Sequence, residues 1–316
     1  MIFKEQHSQT QFIAQINGVN ISLKREDMLH PEVSGNKFRK LKYNLAAAKN
    51  LNKNTLLTFG GAFSNHIAAT AAAAKLEGLK SIGIIRGDEL AKDIELTLKH
   101  NKTLSGAFKN GMKLIFIDRE TYRKKEDLDI SELLKEMSFC NEDFVSEVDE
   151  IFVVPEGGTN ELAVKGCTEI LEETDSNFNY VACPVGTGGT IAGIINSSAE
   201  RQKILGFPAL KSDFLTAEIT KFTTKTNWEL ITDFHFGGYG KITNELVTFM
   251  NDFKQTHNIL LDPVYTAKML FGIWHMAENG YFRKDDHVLA IHTGGLQGIE
   301  GMNHVLRKKG MQTIIQ

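Results

Sequence analysis

The sequence predicts an α/β protein in which two lobes are each built on an open, twisted, mostly parallel sheet with helices on both faces. Short β-branched runs, "TLLTF", "SIGIIR", "KLIFI", "IFVVP", "YVACPV" and "HVLAIH", alternate with stretches of helical periodicity, the pattern of parallel sheets joined by crossover helices. At 316 residues the chain exceeds the size at which a single hydrophobic core stops growing, so two lobes are expected. Glycine-rich turns, "TFGGAFSNH", "VVPEGGTNE", "CPVGTGGTIAG", "FGGYGK" and "IHTGGLQG", mark strand ends, where ligands of such sheets bind. Five turns of this kind point to one shared site.

Composition narrows the function. A chain with 42% hydrophobic and 24% charged residues has the makings of a packed core and is not disordered. Lys and Arg number 36 against 39 Asp and Glu, a net charge of -3, so the protein has no general attraction to a phosphate backbone and nucleic acid is not expected as a partner. The start "MIFKEQHSQTQF" lacks an apolar core, and the run "IAATAAAA" stops at Lys75, far short of a membrane span; a cytoplasmic protein is expected. Cys140, Cys167 and Cys183 form no C-x-x-C pair and the ten histidines no H-E-x-x-H, which argues against disulfides, structural zinc and a metal hydrolase. Cys183, inside "YVACPV", reads as a small buried hydrophobe.

Along the chain, "SGNKFRKLKYNL" is a helix start. Gly35 and Asn36 supply a turn and a candidate N-cap, and Phe38, Leu41, Leu45 and Ala48 recur at helical spacing. Lys37, Arg39, Lys40 and Lys42 therefore crowd the positive end of a helix dipole, at roughly 0.3 to 1 kcal/mol each unless an anion compensates. Lys37 lies at the edge of the apolar stripe beside Lys40. Partial desolvation there lowers the pKa of an amine, and a neutral amine is what Schiff-base chemistry needs. A solvated surface lysine is the plain alternative. Lys40, about a turn on, suits an anion, whereas Arg39 and Lys42 are expected to be solvated or engaged with the other lobe.

In "GGAFSNHIAATAAAA", Ser64 or Asn65 caps a helix so poor in bulk that another layer must press against it. Ser64, Asn65 and His66 can hold a carboxylate through a hydroxyl and backbone N–H groups at the helix N-terminus, the alternative being a simple cap beside an exposed histidine. The segment from 118 to 150 reads as charged, amphipathic surface helix.

Gly186, Thr187, Gly188, Gly189 and Thr190 follow a buried strand and open an apolar helix. The last glycine of G-x-G-x-x-G would fall at Ile191 and no G-K-[ST] follows, so a single phosphate monoester suits this turn better than a dinucleotide or a nucleoside triphosphate; a turn needed only for close packing is the alternative. Tyr239 in "FGGYGK" and Tyr265 in "LDPVYTAK", followed by Thr266, can donate or relay a proton, though nothing local fixes their ionisation.

Taken in order, "SGNKFRKL", "GGAFSNH", "CPVGTGGT", "DPVYTAK" and "HTGGLQG" resemble the pyridoxal-phosphate enzymes of the tryptophan synthase β type, and most closely the branch of D-cysteine desulfhydrase and 1-aminocyclopropane-1-carboxylate deaminase. The resemblance runs from about residue 20 to 300. It implies fold type II, with pyridoxal 5'-phosphate in the cleft between a large lobe, 1–39 and 151–316, and a small lobe, 40–150, and it implies a homodimer. On the same likeness Lys37 would carry the cofactor as a Schiff base and exchange protons at the substrate α-carbon. Gly186 to Thr190 with Lys40 would bind the phosphate, and Asn65 would hydrogen-bond the phenolic oxygen. Ser64 would contact the substrate carboxylate and act in proton transfer, helped by the amides of Asn65 and His66, while Tyr239 and Tyr265 match two active-site tyrosines. Thr266 stands where the deaminases carry glutamate near the pyridine nitrogen, and His66 where they carry glutamine; both choices are those of the desulfhydrases. Ile67, Ala68 and Ala69 replace a bulkier polar residue usual in both branches. The expected reaction is β-elimination from D-cysteine to pyruvate, ammonia and sulfide; the alternatives are ring opening of 1-aminocyclopropane-1-carboxylate to 2-oxobutanoate and ammonia, or cofactor carriage without turnover.

Overall fold

The structure, a computed structural model, describes residue 3 and residues 6–138, 148–210 and 214–316. Cys140 and part of the 118–150 segment lie outside the described residues. The strands are β1 (Thr10–Ile16), β2 (Val19–Lys24), β3 (Thr55–Gly61), β4 (Lys80–Arg86), β5 (Met112–Ile117), β6 (Ile151–Val154), β7 (Tyr180–Val185), β8 (Lys203–Pro208), β9 (Trp228–Leu230) and β10 (His287–Ile291). Contacts divide the chain into two compact units, one of residues 44–158 and one of 3–43 with 159–316. The sequence reading put the divisions at 40 and 150; they fall inside the helix Asn36–Asn50, after Tyr43, and after Gly158.

In the smaller unit the sheet order is β5-β4-β3-β6, all parallel. Leu57, Phe59, Ile82, Ile84 and Ile115 bury one face, and Ile85 and Met112 the other, against Ile67, Ala71, Leu104 and Ala107. The expected close layer over the alanine-rich helix, Asn65–Leu76, is the sheet itself. Ala69 and Ala71 to Ala74 are buried, and a Cβ on Gly60 would come within 2.5 Å of the Ile67 side chain.

The larger unit holds a six-stranded sheet, β1-β2-β10-β7-β8-β9, parallel except for β1 against β2. Alternate residues of one strand feed different cores, as the two-residue period of a strand requires. Val181, Cys183, Val185, Leu289 and Ile291 pack with Ile191, Ile194 and Ile195, while Ala182, Val288 and Ala290 pack with Met269, Leu270 and Ile273. Cys183 is fully buried, and burial pushes its thiol pKa up, so it stays a protonated hydrophobe. The antiparallel pair β1–β2 escapes a search for β-branched runs because polar residues interrupt both strands; its signature is the Asn17-Gly18 turn, with φ of 48° and 85°.

The glycine turns thus fall at carboxyl ends of parallel strands: those after β3 and β6 in the smaller unit, those after β7 and β10 in the larger. "FGGYGK" instead lies some way beyond β9, on an irregular segment. Among the described residues no helix is long and apolar enough to cross a membrane.

Candidate active site

The helix Asn36–Asn50 starts hard against the turn after β10. Gly35 has φ +64°, a Cβ there would lie 1.9 Å from the Thr293 carbonyl oxygen, and the Asn36 N–H donates to that same oxygen at 3.3 Å. Only glycine fits. Asn36 is the first helical residue rather than a cap, and its side chain is engaged at both ends. Its Nδ2 donates to Thr190 Oγ1 at 2.8 Å, and its Oδ1 accepts from Lys37 Nζ at 3.1 Å.

Lys37 is half-buried. Burial, and then the charge of Lys40, lower its amine from 10.5 to about 7. At pH 7 about half of such amines are neutral, against fewer than ~1 in 1,000 for an ordinary lysine. Acetylation of cofactor-free protein, read by peptide mass spectrometry, is therefore expected to mark Lys37 first, at a rate that rises through pH 7 and levels off above it. A rate still rising toward pH 10 would refute the lowered value. Because the folded-state value lies below the unfolded one, Lys37 costs stability fully below pH 7, and the cost fades as pH rises toward 10.5.

Lys40 is 2% exposed, and burial lowers its amine as well. Its Nζ donates to Thr159 Oγ1 at 2.9 Å, and that hydroxyl lies 2.6 Å from Thr187 Oγ1. Gly188, with φ +85°, opens the helix Gly189–Ser197. A Cβ on Gly189 would meet the Thr159 side chain at 2.9 Å, and one on Gly186 would meet the Tyr265 ring at 3.2 Å. Lys40, Thr159, Thr187 and the amides at this helix start form a set of donors around glycine backbone, which fits a phosphate ester. Thr159 is a site residue that the sequence reading passed over, although the turn "EGGTNE" containing it was marked.

The other two cations require correction. Arg39 is 2% exposed, not solvated, and its Nε and Nη2 donate to both carboxylate oxygens of the fully buried Glu26 at 2.9 Å. Lys42 donates to Glu169 Oε2 at 2.7 Å, and Tyr43 Oη donates to Glu169 Oε1 at 2.6 Å, all within the larger unit. The anions that balance this helix start are thus protein carboxylates distant in sequence, which local spacing cannot reveal. Close approach of the helix Glu161–Cys167 completes the packing, since a Cβ on Gly166 would fall 2.0 Å from the Arg39 carbonyl oxygen.

Tyr239 and Tyr265 do meet, edge to face, with ring centroids 6.1 Å apart. Tyr265 precedes the helix Thr266–Glu278, whose first turn is capped by Asp262. The Asp262 carboxylate accepts from the N–H groups of Val264, Tyr265 and Thr266, while burial pushes its pKa up to about 7. Thr266 is fully buried; its Oγ1 accepts from the Asp262 N–H at 2.7 Å and donates to the Asp262 carbonyl at 3.3 Å.

In the smaller unit Ser64 is the N-cap of the helix Asn65–Leu76, and its Oγ accepts from the Ile67 N–H at 3.4 Å. His66 is not exposed: it is 2% accessible, and its Nε2 lies 2.7 Å from Thr58 Oγ1. Thr58 gives its one proton to the Val154 carbonyl, so His66 Nε2 is the donor to Thr58. The ring is thereby committed to the interior of this unit, and the role left for residue 66 toward a carboxylate is that of its backbone N–H.

Residues 8–294 match the family of pyridoxal-phosphate dependent enzymes. The chain belongs to that family. It is 31% identical over 306 residues to the bifunctional D-cysteine desulfhydrase/1-aminocyclopropane-1-carboxylate deaminase of Arabidopsis thaliana, a mitochondrial protein, covering 90% of this chain and 74% of the relative. It is 27% identical over 302 residues to the D-cysteine desulfhydrase of Serratia proteamaculans, covering 88% and 87%. The crystal structure of a protein described as the ACC deaminase homologue superposes with a TM-score of 0.77 at 27% identity, covering 96% of this chain and 94% of the other. An O-acetylserine dependent cystathionine beta-synthase from Helicobacter pylori, 14% identical, shares the fold with a TM-score of 0.63 over 94% of this chain and 95% of the other. Pyridoxal phosphate is the family's cofactor. The low-basicity amine of Lys37 and the donors around Gly186 to Gly189 suit its aldehyde and its phosphate respectively.

Proposed function

We propose that this enzyme is a lyase that eliminates sulfide from D-cysteine, leaving aminoacrylate that water converts to pyruvate and ammonia. The observation that carries the choice is Thr266, a buried hydroxyl bonded to the Asp262 backbone where ring-opening deaminases of the resembled branch have a carboxylate. Bound pyridoxal phosphate supplies an electron sink for the substrate α-carbon. A carboxylate at residue 266 would hold the pyridine nitrogen protonated, whereas the Thr266 hydroxyl, which gives its one proton to the Asp262 carbonyl, would supply no such counter-charge.

Lys37, close to neutral at pH 7, carries the cofactor and exchanges the α-proton. Lys40, Thr159, Thr187 and the amides of Gly188, Gly189 and Thr190 hold the phosphate, with Gly186 leaving room for the Tyr265 ring. Tyr239 and Tyr265 flank the leaving sulfur, where one phenol supplies its proton. On the resemblance, Asn65 would bond the phenolic oxygen of the cofactor, and Ser64 with the N–H groups of Asn65 and His66 would take the substrate carboxylate. The resemblance supports these assignments and a homodimer, except that of Thr159, which rests on its hydrogen bonds to Lys40 and Thr187; a cytoplasmic location follows the sequence reading alone.

The reading is tested by release of sulfide and pyruvate from D-cysteine by the cofactor-loaded protein; no turnover of D-cysteine would overturn it, and inertness to every amino acid would favour carriage. The Arabidopsis relative, whose name joins both activities, supports ring opening of 1-aminocyclopropane-1-carboxylate as the second reading. Thr266→Glu is expected to raise 2-oxobutanoate release from that compound by ~10-fold or more while lowering sulfide release, a differential of ~1.4 kcal/mol or more. Unchanged rates on both substrates would show that residue 266 does not govern the choice.

A further inference from the structure

We propose that Lys268 is a positioning residue for Tyr239, gathering three backbone carbonyls and so fixing the glycine loop that presents the Tyr239 ring to Tyr265. Lys268 lies in the first turn of the helix Thr266–Glu278 and is 2% exposed. Its Nζ donates to the carbonyls of His235 and Gly238 at 2.9 Å and of Ala209 at 3.4 Å. Ala209 follows the last residue of β8, and His235 and Gly238 bracket the turn immediately before Tyr239.

That turn is tied within itself by the Gly237 N–H to His235 Nδ1, the Gly238 N–H to the His235 carbonyl and the Lys241 N–H to the Gly238 carbonyl, and Lys268 ties it to the helix. Phe236, Gly237, Gly238 and Gly240 have φ of 55°, 88°, 119° and 67°, a backbone that belongs to neither strand nor helix. Aromatic packing anchors the part before it. Phe236 meets Phe271 edge-on at 5.0 Å, Phe234 meets His275 at 5.4 Å, and a Cβ on Gly272 would come within 2.8 Å of the Phe234 ring. Beyond Phe236 the described tie from this helix to the loop backbone is the Lys268 ammonium. Burying an ammonium on carbonyl dipoles is costly when a methionine could fill the same space. The burial lowers Lys268 to about 8, with Asp262 acting in the opposite sense. The two tyrosines then sit on elements joined through one side chain: Tyr265 precedes the helix that carries Lys268, and Tyr239 follows the carbonyl that Lys268 binds.

The inference rests on the reading of Tyr239 as part of the reacting centre. Its test uses the holoenzyme and Lys268→Met, with two readouts. In hydrogen exchange, amides of residues 236–241 are expected to exchange ~10-fold faster or more, with peptides from β7 and β10 unchanged. In turnover of D-cysteine, kcat is expected to fall ~10- to 100-fold while KM and cofactor retention move less than ~3-fold, because a misplacement of about 1 Å near the reacting atoms acts on the barrier rather than on binding. In a Tyr239→Phe background the same substitution is expected to cost less than ~3-fold, since there is then no phenol to position. Unchanged exchange, or the same loss in both backgrounds, overturns the proposal. So does a Tyr239→Phe enzyme with wild-type kcat. If the wild type releases no sulfide from D-cysteine, the functional reading fails on its own, and the exchange measurement, which needs no substrate, decides whether Lys268 holds the loop. Should Lys268→Met fail to fold, Lys268→Leu, which likewise carries no donor for the three carbonyls, is judged by the same criteria.

Discussion

Lys37→Ala is expected to reduce sulfide release from D-cysteine by at least ~10³-fold, because it removes the amine that burial and the charge of Lys40 bring down to about 7. Borohydride treatment of the wild type is expected to fix pyridoxal phosphate on the peptide containing Lys37, and the same treatment is expected to leave the variant unlabelled. Folding should survive. The deleted amine is half-buried, its hydrogen bond goes to the adjacent Asn36, and its removal relieves the electrostatic conflict with Lys40. Loss of activity together with loss of fold would therefore contradict the assignment as clearly as a variant that keeps activity within about tenfold of wild type.

Glu26→Gln is expected to cost about 3 to 5 kcal/mol of stability, the largest effect of any single polar change around the site. It leaves the Arg39 guanidinium, only 2% exposed, with the partly exposed Glu169 carboxylate at 3.7 Å in place of the bidentate pair with fully buried Glu26. Urea unfolding measures this directly. The double variant Glu26→Leu with Arg39→Met should recover most of the loss, since replacing both partners of a buried pair with apolar groups is often close to neutral. By contrast Lys42→Met, at the more exposed Glu169, should cost less than about 1 kcal/mol. Equal costs from Glu26→Gln and Lys42→Met would mean that burial does not set the worth of these pairs.

These contrasts show what the sequence could and could not disclose. Strands β3, β4, β7 and β10 were legible because both faces of their parallel sheets are buried, which concentrates β-branched residues into continuous runs; β5 and the edge strand β6, where Val153 is exposed, keep the same run. The edge hairpin β1–β2 and the three-residue β9 carry no such concentration. At the proposed site, the unusual features of Lys37, Lys40 and the glycine turn are local and could be read from the sequence: cations at a positive dipole, and glycines where a side chain would collide. Thr159, Glu26, Asp262 and Lys268 were not, because what each does is set by partners that only the fold brings near. His66 shows the same limit in reverse, since its place at a helix start suggested an outward ring and Thr58 holds it inward.

Asn36 joins two functions in one side chain. Its amide nitrogen holds Thr190 of the glycine turn proposed to seat the cofactor, and its oxygen holds the Lys37 amine proposed to react. Aspartate would keep the acceptor and lose the donor, and leucine would lose both, so the basicity of the lysine and the seating of the loop have to change together at this position. Anyone redesigning the cofactor grip of this enzyme would find its reactivity attached to the same handle.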